Sequence, residues 1–279
     1  MALNRVLLLS LLLMPLLAQE IVFKQSCVEY KSVEYAVLRT LGKSQRVFLV
    51  NTGNLETMIR PIKEFSRFKQ CQQKSLYKDL KNAVLNEPKS ITNRGLKNGV
   101  KDAYALTVDM CPSSKKGFEL DSFKTLLKSK KSFPVTISMT KKWAVNHPAE
   151  FQQLKAWDDL NKLKITWMNH GATHPYRRNV PIENNFINLE GVDFKKEVLE
   201  NEKFLIQEGR IPSVFYRFAG LVSNEKDLKC LVEELGLIPI GSLAWLASQK
   251  RLSVIGMPDM FVAETMREHI SFIFLKNLR

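Results

Sequence analysis

Apolar positions along this chain fall into blocks of three kinds. The first is a run of thirteen residues, 6–18, broken only by Ser10 and Pro15 and preceded by Arg5. The second lies within residues 20–100, where the spacing is mixed. Residues 46–50 (RVFLV) read as a short buried strand stopped by Asn51-Thr52-Gly53. Residues 55–68 and 76–85 carry apolar spacing that predicts helices, the first interrupted near Pro61. Pro88, Gly95 and Gly99 then mark a loose connection, which puts a boundary near residue 100.

The third kind of block fills the rest of the chain and is regular. Short apolar runs at 103–108 (AYALTV), 134–139 (PVTISM), 164–168 (KITWM), 213–216 (SVFY) and 237–240 (LIPI) read as strands. Between them lie helical patterns at 120–130, 141–162, 194–208 and 225–235, the last ended by Gly236. Repeated strand–helix units mean parallel strands with right-handed crossovers. Such a sheet is doubly wound or closed into a barrel, and in either case ligands bind at the carboxyl ends of the strands.

Composition adds limits. The chain has 279 residues, 45% hydrophobic and 25% charged, which is globular and long enough for one large α/β domain with a small extra piece. The run 6–18 is too short to span a bilayer, which takes about 20 apolar residues. With Arg5 before it and Ala18 at its end it reads as a secretory signal. Leu16 stands where a small residue is expected, so an uncleaved anchor with peripheral membrane contact is the other reading.

Net charge is +14. In an exported protein of the periplasm or cell envelope that suits anionic cell-wall polymers or lipid headgroups. Nucleic acid is the other usual partner of a basic chain, but the lysines are spread out rather than gathered in a tract, and no nucleic-acid partner is expected. Export permits disulfides, and of the four cysteines Cys27 and Cys71 could pair. Cys111 and Cys230 fall at apolar positions and read as small core residues. No CxxC pair exists to suggest a thiolate zinc site.

The strand ends hold the candidate chemistry. The first ends in Thr107-Val108-Asp109-Met110-Cys111-Pro112, which puts Asp109 at the mouth of the sheet. The third ends in Asn169-His170-Gly171-Ala172-Thr173-His174-Pro175. Two histidines four residues apart on one helical turn can reach a single ion, and the chain has only four histidines. The fourth ends in Arg217-Phe218-Ala219-Gly220, where Arg217 could orient a carboxylate. Trp245, after the fifth strand, is either a wall for a sugar ring or a core residue.

Taken together, residues 103–247 resemble the polysaccharide deacetylases, the NodB-like carbohydrate esterases. That family's Thr-Phe-Asp-Asp-Gly-Pro is matched by Thr107 to Pro112, and its His-Ser/Thr-x-x-His-Pro by His170 to Pro175, with Gly171 at the hydroxyl position. Its Arg-x-Pro-x-Gly is similar to Arg217 to Gly220 without the Pro, and its Trp motif to Trp245. The resemblance implies an α/β fold, a distorted (β/α) barrel over residues 101–279 preceded by an N-terminal α/β extension, 19–100. It implies a divalent metal, zinc above all, held by His170 and His174, and removal of N-acetyl groups from a glycan such as peptidoglycan or a chitin-like polymer. It also implies roles for Asp109 and Arg217 in catalysis and for Trp245 and Phe218 in substrate binding.

Two departures stand out. Met110 occupies the place of the family's metal-binding Asp, so Asp109 is left for two jobs: the preferred reading turns it onto the metal beside His170 and His174 as a His₂Asp site, and the other keeps it as the base. After Leu246 the resemblance stops, as a truncation or frameshift would make it do, so the barrel is expected to be incomplete at its C-terminus and its activity impaired. The family's closing strand ends in a His that protonates the leaving amine; residues 251–255 could form a strand without one, and His269 is the only candidate. A sheet ending there would have an unpaired edge. These departures make a catalytically impaired glycan-binding protein the alternative to an active deacetylase. Residues 1–18 are expected to direct export: the native protein should be found outside the cytosol, cleaved or membrane-attached. Finding it full-length and free in the cytosol contradicts that expectation.

Overall fold

A computed structural model describes residues 26–42, 45–97, 105–113, 123–124, 127–128, 132–242, 244–245 and 269–273. The signal-like run 6–18, the candidate strand at 251–255 and most of the candidate helix at 120–130 lie outside the described residues.

The N-terminal segment is an antiparallel sheet. Strands β1 (Ser26–Tyr30), β2 (Val33–Leu41), β3 (Arg46–Asn51), β4 (Thr57–Pro61) and β5 (Lys69–Gln70) lie in the order β4-β3-β2-β1-β5. The β1–β2 hairpin turns on Lys31 and Ser32, both at positive φ (50° and 62°). This is the geometry of a two-residue hairpin turn, made here without Asn or Gly. Asn51 ends β3: its Oδ1 accepts from the backbone N–H of Gly53 (2.8 Å) and Asn54 (3.1 Å), which bends the chain as an Asx turn does.

The helix expected over 55–68 is absent, and β4 and a 3₁₀ turn, Ile62–Glu64, take its place. Pro61 would interrupt a helix but is tolerated at the end of the edge strand β4, whose pairing with β3 takes up the segment's backbone groups. The helix α1 (Leu76–Leu85) forms as expected, capped by Ser75, whose hydroxyl accepts from Lys78 N.

The second sheet alternates with helices as the sequence predicts. Strands β6 (Ala105–Met110), β7 (Phe133–Met139), β8 (Leu163–Asn169), β9 (Phe215–Tyr216) and β10 (Ile238–Pro239) pair in parallel. Helices α2 (Lys141–Asn146) and α3 (Pro148–Asp159) connect β7 to β8, and α4 (Phe194–Gln207) connects β8 to β9. Helix α5 (Glu225–Lys229), continued by a π turn to Glu234, connects β9 to β10. This is the parallel half of the expected barrel, curled but not closed among the described residues.

Both edges of the parallel array are covered. Strand β12 (His269–Ile273) pairs antiparallel with β6, and β11 (Ala244–Trp245) pairs with β12. The edge expected to be unpaired is therefore paired by the tail. On the other side, residues 92–97 run beside β10. Leu96 N donates to Pro239 O and Gly241 N to Leu96 O. A Cβ on Gly95 would lie 2.5 Å from Pro239 O, and its φ is +113°, so only glycine allows this approach. As far as residue 97, the connection read from sequence as loose is stitched to the sheet.

One apolar core joins the two sheets. Cys27, Leu38, Phe48 and Val50 of the first sheet pack with Met168, Val198, Phe215 and Ile238 of the second layer. The Cys27–Cys71 disulfide forms. Arg39 and Glu202 are each 4% exposed and meet through two contacts, Nε–Oε1 at 3.2 Å and Nη2–Oε2 at 3.3 Å, while Arg39 Nη1 donates to Leu235 O. Removing one partner of such a buried pair typically costs about 3–5 kcal/mol, because the other charge is left uncompensated. Arg39→Met should therefore destabilise the protein by about that amount in urea unfolding, and Arg39→Met/Glu202→Leu should recover most of it. A loss in the single variant below about 1 kcal/mol would show that the pair is not buried in solution.

Candidate metal centre

The alternation along β6 decides which side chains reach the strand-end cleft. Leu106, Val108 and Met110 face the core formed with β7, α2 and α3. Successive strand residues point to opposite faces, so Thr107, Asp109 and the next residue on, Cys111, share the other face. Met110 is fully buried. The segment just past β6 is held at two carbonyls. Thr140 Oγ1 donates to Met110 O (2.7 Å). His147 Nε2 (2.9 Å) and Asn146 Nδ2 (3.2 Å) donate to Ser113 O. Cys111 sits between these clamps and is half-buried.

The His170–His174 segment is not the helical turn that its spacing suggested; it is a loop. Asn169 builds it. Its Oδ1 accepts from Gly171 N (2.9 Å) and Asn201 Nδ2 (2.8 Å), and its Nδ2 donates to Val198 O. Gly171 has φ +85° and His174 φ +48°. Glu197 of α4 fixes the far end, accepting from Thr173 N (2.8 Å) and Thr173 Oγ1 (2.7 Å). Neither Asn201 nor Glu197 carried a motif in the sequence; both sit one helical turn or two along the face of α4 that packs on β8.

His170 is 1% exposed, and its Nδ1 lies 2.8 Å from Arg217 O. A carbonyl only accepts, so Nδ1 carries the proton and Nε2 presents its lone pair. That lone pair faces Cys111 Sγ at 3.6 Å. The His174 ring meets that of His170 edge-on at 4.9 Å between centroids and rests against Phe186. Donor atoms of Cys111, His170 and His174 all lie within 4.8 Å of one another. Nearby, burial raises the Tyr216 phenol well above its usual range, and the charges of Glu197 and Asp227 add to this, so it stays protonated.

Asp109, expected as ligand or base, is 2% exposed and is held by Arg217, which is fully buried. Arg217 Nη1 donates to both carboxylate oxygens, at 3.1 and 3.2 Å, and Nη2 donates to Gly241 O at 3.0 Å. Two expected groups are thus each brought together: His170 with His174, and Asp109 with Arg217. Phe218 is 2% exposed, stacked on Phe194 and edge-on to Tyr216 in the core, and is not part of the cleft surface. The backbone at Trp245 pairs with Ser271, and His269 takes the register position opposite Asp109. A cavity of about 830 Å³ elsewhere, bordered by Tyr77, Lys81 and Glu233, brings together no comparable set of groups.

No family model matches the chain. In fold it is similar to a family 4 carbohydrate esterase from Bacillus anthracis, at 18% identity over 61% of this chain and 69% of that one, with a TM-score of 0.38. A family 4 carbohydrate esterase from Streptomyces lividans in complex with acetate is similar at 17% identity over 51% of this chain and 64% of that one, with a TM-score of 0.34. A mutant of a pseudoenzyme of the same esterase family, with restored enzymatic activity, is similar at 14% identity over 80% and 70%, TM-score 0.34. Likenesses this faint carry no weight for function, which has to come from the site itself.

Gly171 tests the loop. An added Cβ would sit 3.3 Å from Glu197 Oε2 and 3.6 Å from Tyr216 Oη, at a φ that L residues avoid. Gly171→Ala should cost about 1–2 kcal/mol in stability and weaken metal binding by displacing the two imidazoles. Thermal melting together with a zinc titration checks both; wild-type values in both would mean that the loop tolerates a side chain there.

Proposed function

We propose that this protein is a metal-dependent hydrolase that removes acetyl groups from an N-acetylated glycan, acting outside the cytosol at the cell envelope. One observation carries the reading. A buried, arginine-held carboxylate stands two residues from one donor of a Cys–His–His group, at the carboxyl ends of β6 and β8, which flank β7 in the parallel sheet. The Cys27–Cys71 disulfide and the +14 charge support an exported protein that meets anionic polymers.

The donor set fits a divalent ion: a thiol and two imidazoles, one with its tautomer fixed by a backbone carbonyl. His170 and His174 would hold the ion, which supplies Lewis-acid polarisation of the amide carbonyl and a more acidic bound water. Asp109, oriented by the guanidinium of Arg217, takes the proton of the attacking water on a carboxylate oxygen. The amine that leaves needs a proton, and His269 is the histidine that backbone register sets opposite Asp109.

A second reading, a glycan-binding protein that keeps the fold without turnover, is favoured by Met110, which is buried where the family resemblance puts a metal carboxylate. Acetate release from N-acetylated peptidoglycan or chitin oligomers separates the two. Asp109→Asn should lower that rate by about 10²–10⁴, the usual worth of general base help, while zinc content stays at the wild-type level. Equal rates in wild type and Asp109→Asn remove Asp109 from the chemistry. A wild type that binds zinc and releases no acetate leaves the binding reading.

A further inference from the structure

We propose that the Cys111 thiolate is the third protein ligand of the metal, making a His₂Cys centre that selects thiophilic ions such as zinc over magnesium, manganese or calcium. The proposal rests on the reading of the strand ends as a metal centre, and not on any turnover there.

Strand alternation is the first support. The residue at 110 packs in an apolar core with Leu106 and Val108, on the face of the strand away from Asp109. The position that does share the face of Asp109 is 111. Distance is the second. Two ligands of one tetrahedral zinc, with Zn–S of about 2.3 Å and Zn–N of about 2.05 Å, stand about 3.6 Å apart. Cys111 Sγ and His170 Nε2 are 3.6 Å apart. His174, whose donor nitrogen is within 4.8 Å of both, has only to close by about an ångström to complete three corners of the tetrahedron.

The third support is preorganisation. The backbone on either side of Cys111 is pinned by Thr140, Asn146 and His147. The lone pair of His170 is turned toward the sulfur by its bond to Arg217 O. A thiolate carries the same single negative charge as a carboxylate, so the electrostatic sum at the ion is unchanged while the donor becomes soft. Loading is balanced: the Cys111 S–H bond breaks, the sulfur pair binds the ion, and the proton goes to solvent.

Cobalt(II) substitution of the full-length protein tests this directly, because a thiolate ligand gives a near-ultraviolet sulfur-to-cobalt charge-transfer band that nitrogen and oxygen donors do not. The band should be present in wild type and in Cys230→Ser, and absent in Cys111→Ser and Cys111→Asp. Zinc affinity should fall more than about 100-fold in Cys111→Ser, since loss of mere supporting contacts around a metal costs 10–100-fold. In wild type, zinc should slow iodoacetamide labelling of Cys111, and magnesium should not; this arm needs no variant to fold. Absence of the band in wild type, or wild-type zinc affinity in Cys111→Ser with labelling unaffected by zinc, overturns the proposal. A protein that shows the band but deacetylates nothing sinks the hydrolase reading and leaves this one standing. Acetate release without the band does the reverse.

Discussion

A buried guanidinium has to be answered by its surroundings, and Arg217 imposes that condition on four strand ends at once. It is fully buried, and its charge is met by Asp109 on β6. Its second arm binds the carbonyl of Gly241 beyond β10, its own N–H donates to Asn169 O at the end of β8, and its carbonyl accepts from His170. Unpaired, either charge would face a desolvation penalty of several kcal/mol. The contact that stabilises the ends of the sheet is therefore also the one that aims the carboxylate and sets the tautomer of a metal-facing histidine. Stability and chemistry cannot be separated at this residue.

Helix α4 carries the same coupling outward. Phe194, Val198, Asn201, Glu202 and Leu205 form its buried face, at the i, i+4, i+7, i+8, i+11 spacing of an amphipathic helix. Glu197 and Asn201 shape the histidine loop, and Glu202 answers Arg39 of the N-terminal sheet. A shift of α4 would loosen the loop and uncover a buried pair together. The first sheet thus braces the helix that positions the site, although it contributes no donor atom to it.

The parallel half of the fold was legible because each of its strands is a short apolar run between helical patterns. Runs at 134–139, 164–168 and 194–208 correspond within a residue or two to β7, β8 and α4. The first hairpin was not legible, since Lys31 and Ser32 adopt turn conformations that sequence associates with Asn and Gly. Residues 55–68 have helical spacing, and sheet pairing overrode it. At the site, Asp109, His170, His174 and Arg217 were readable from their places at strand ends. Cys111 was missed because its apolar neighbours suggested a core residue. The usable signal was the period of two, which puts 109 and 111 on one face and 110 on the other.

That same period bears on the question left open by the sequence, whether Asp109 is ligand or base. If Asp109 turned to the metal, Arg217 would lose the anion that answers it while a divalent cation arrived close by. A fully buried guanidinium would then stand uncompensated beside added positive charge, at a cost that grows as the local dielectric falls. With a thiolate at 111 no such conflict arises. Asp109 and Arg217 cancel each other, and the ion with one thiolate and two neutral imidazoles keeps a single positive charge, which is what polarises a carbonyl. Two side chains on one face of β6 then divide the work between ligand and base.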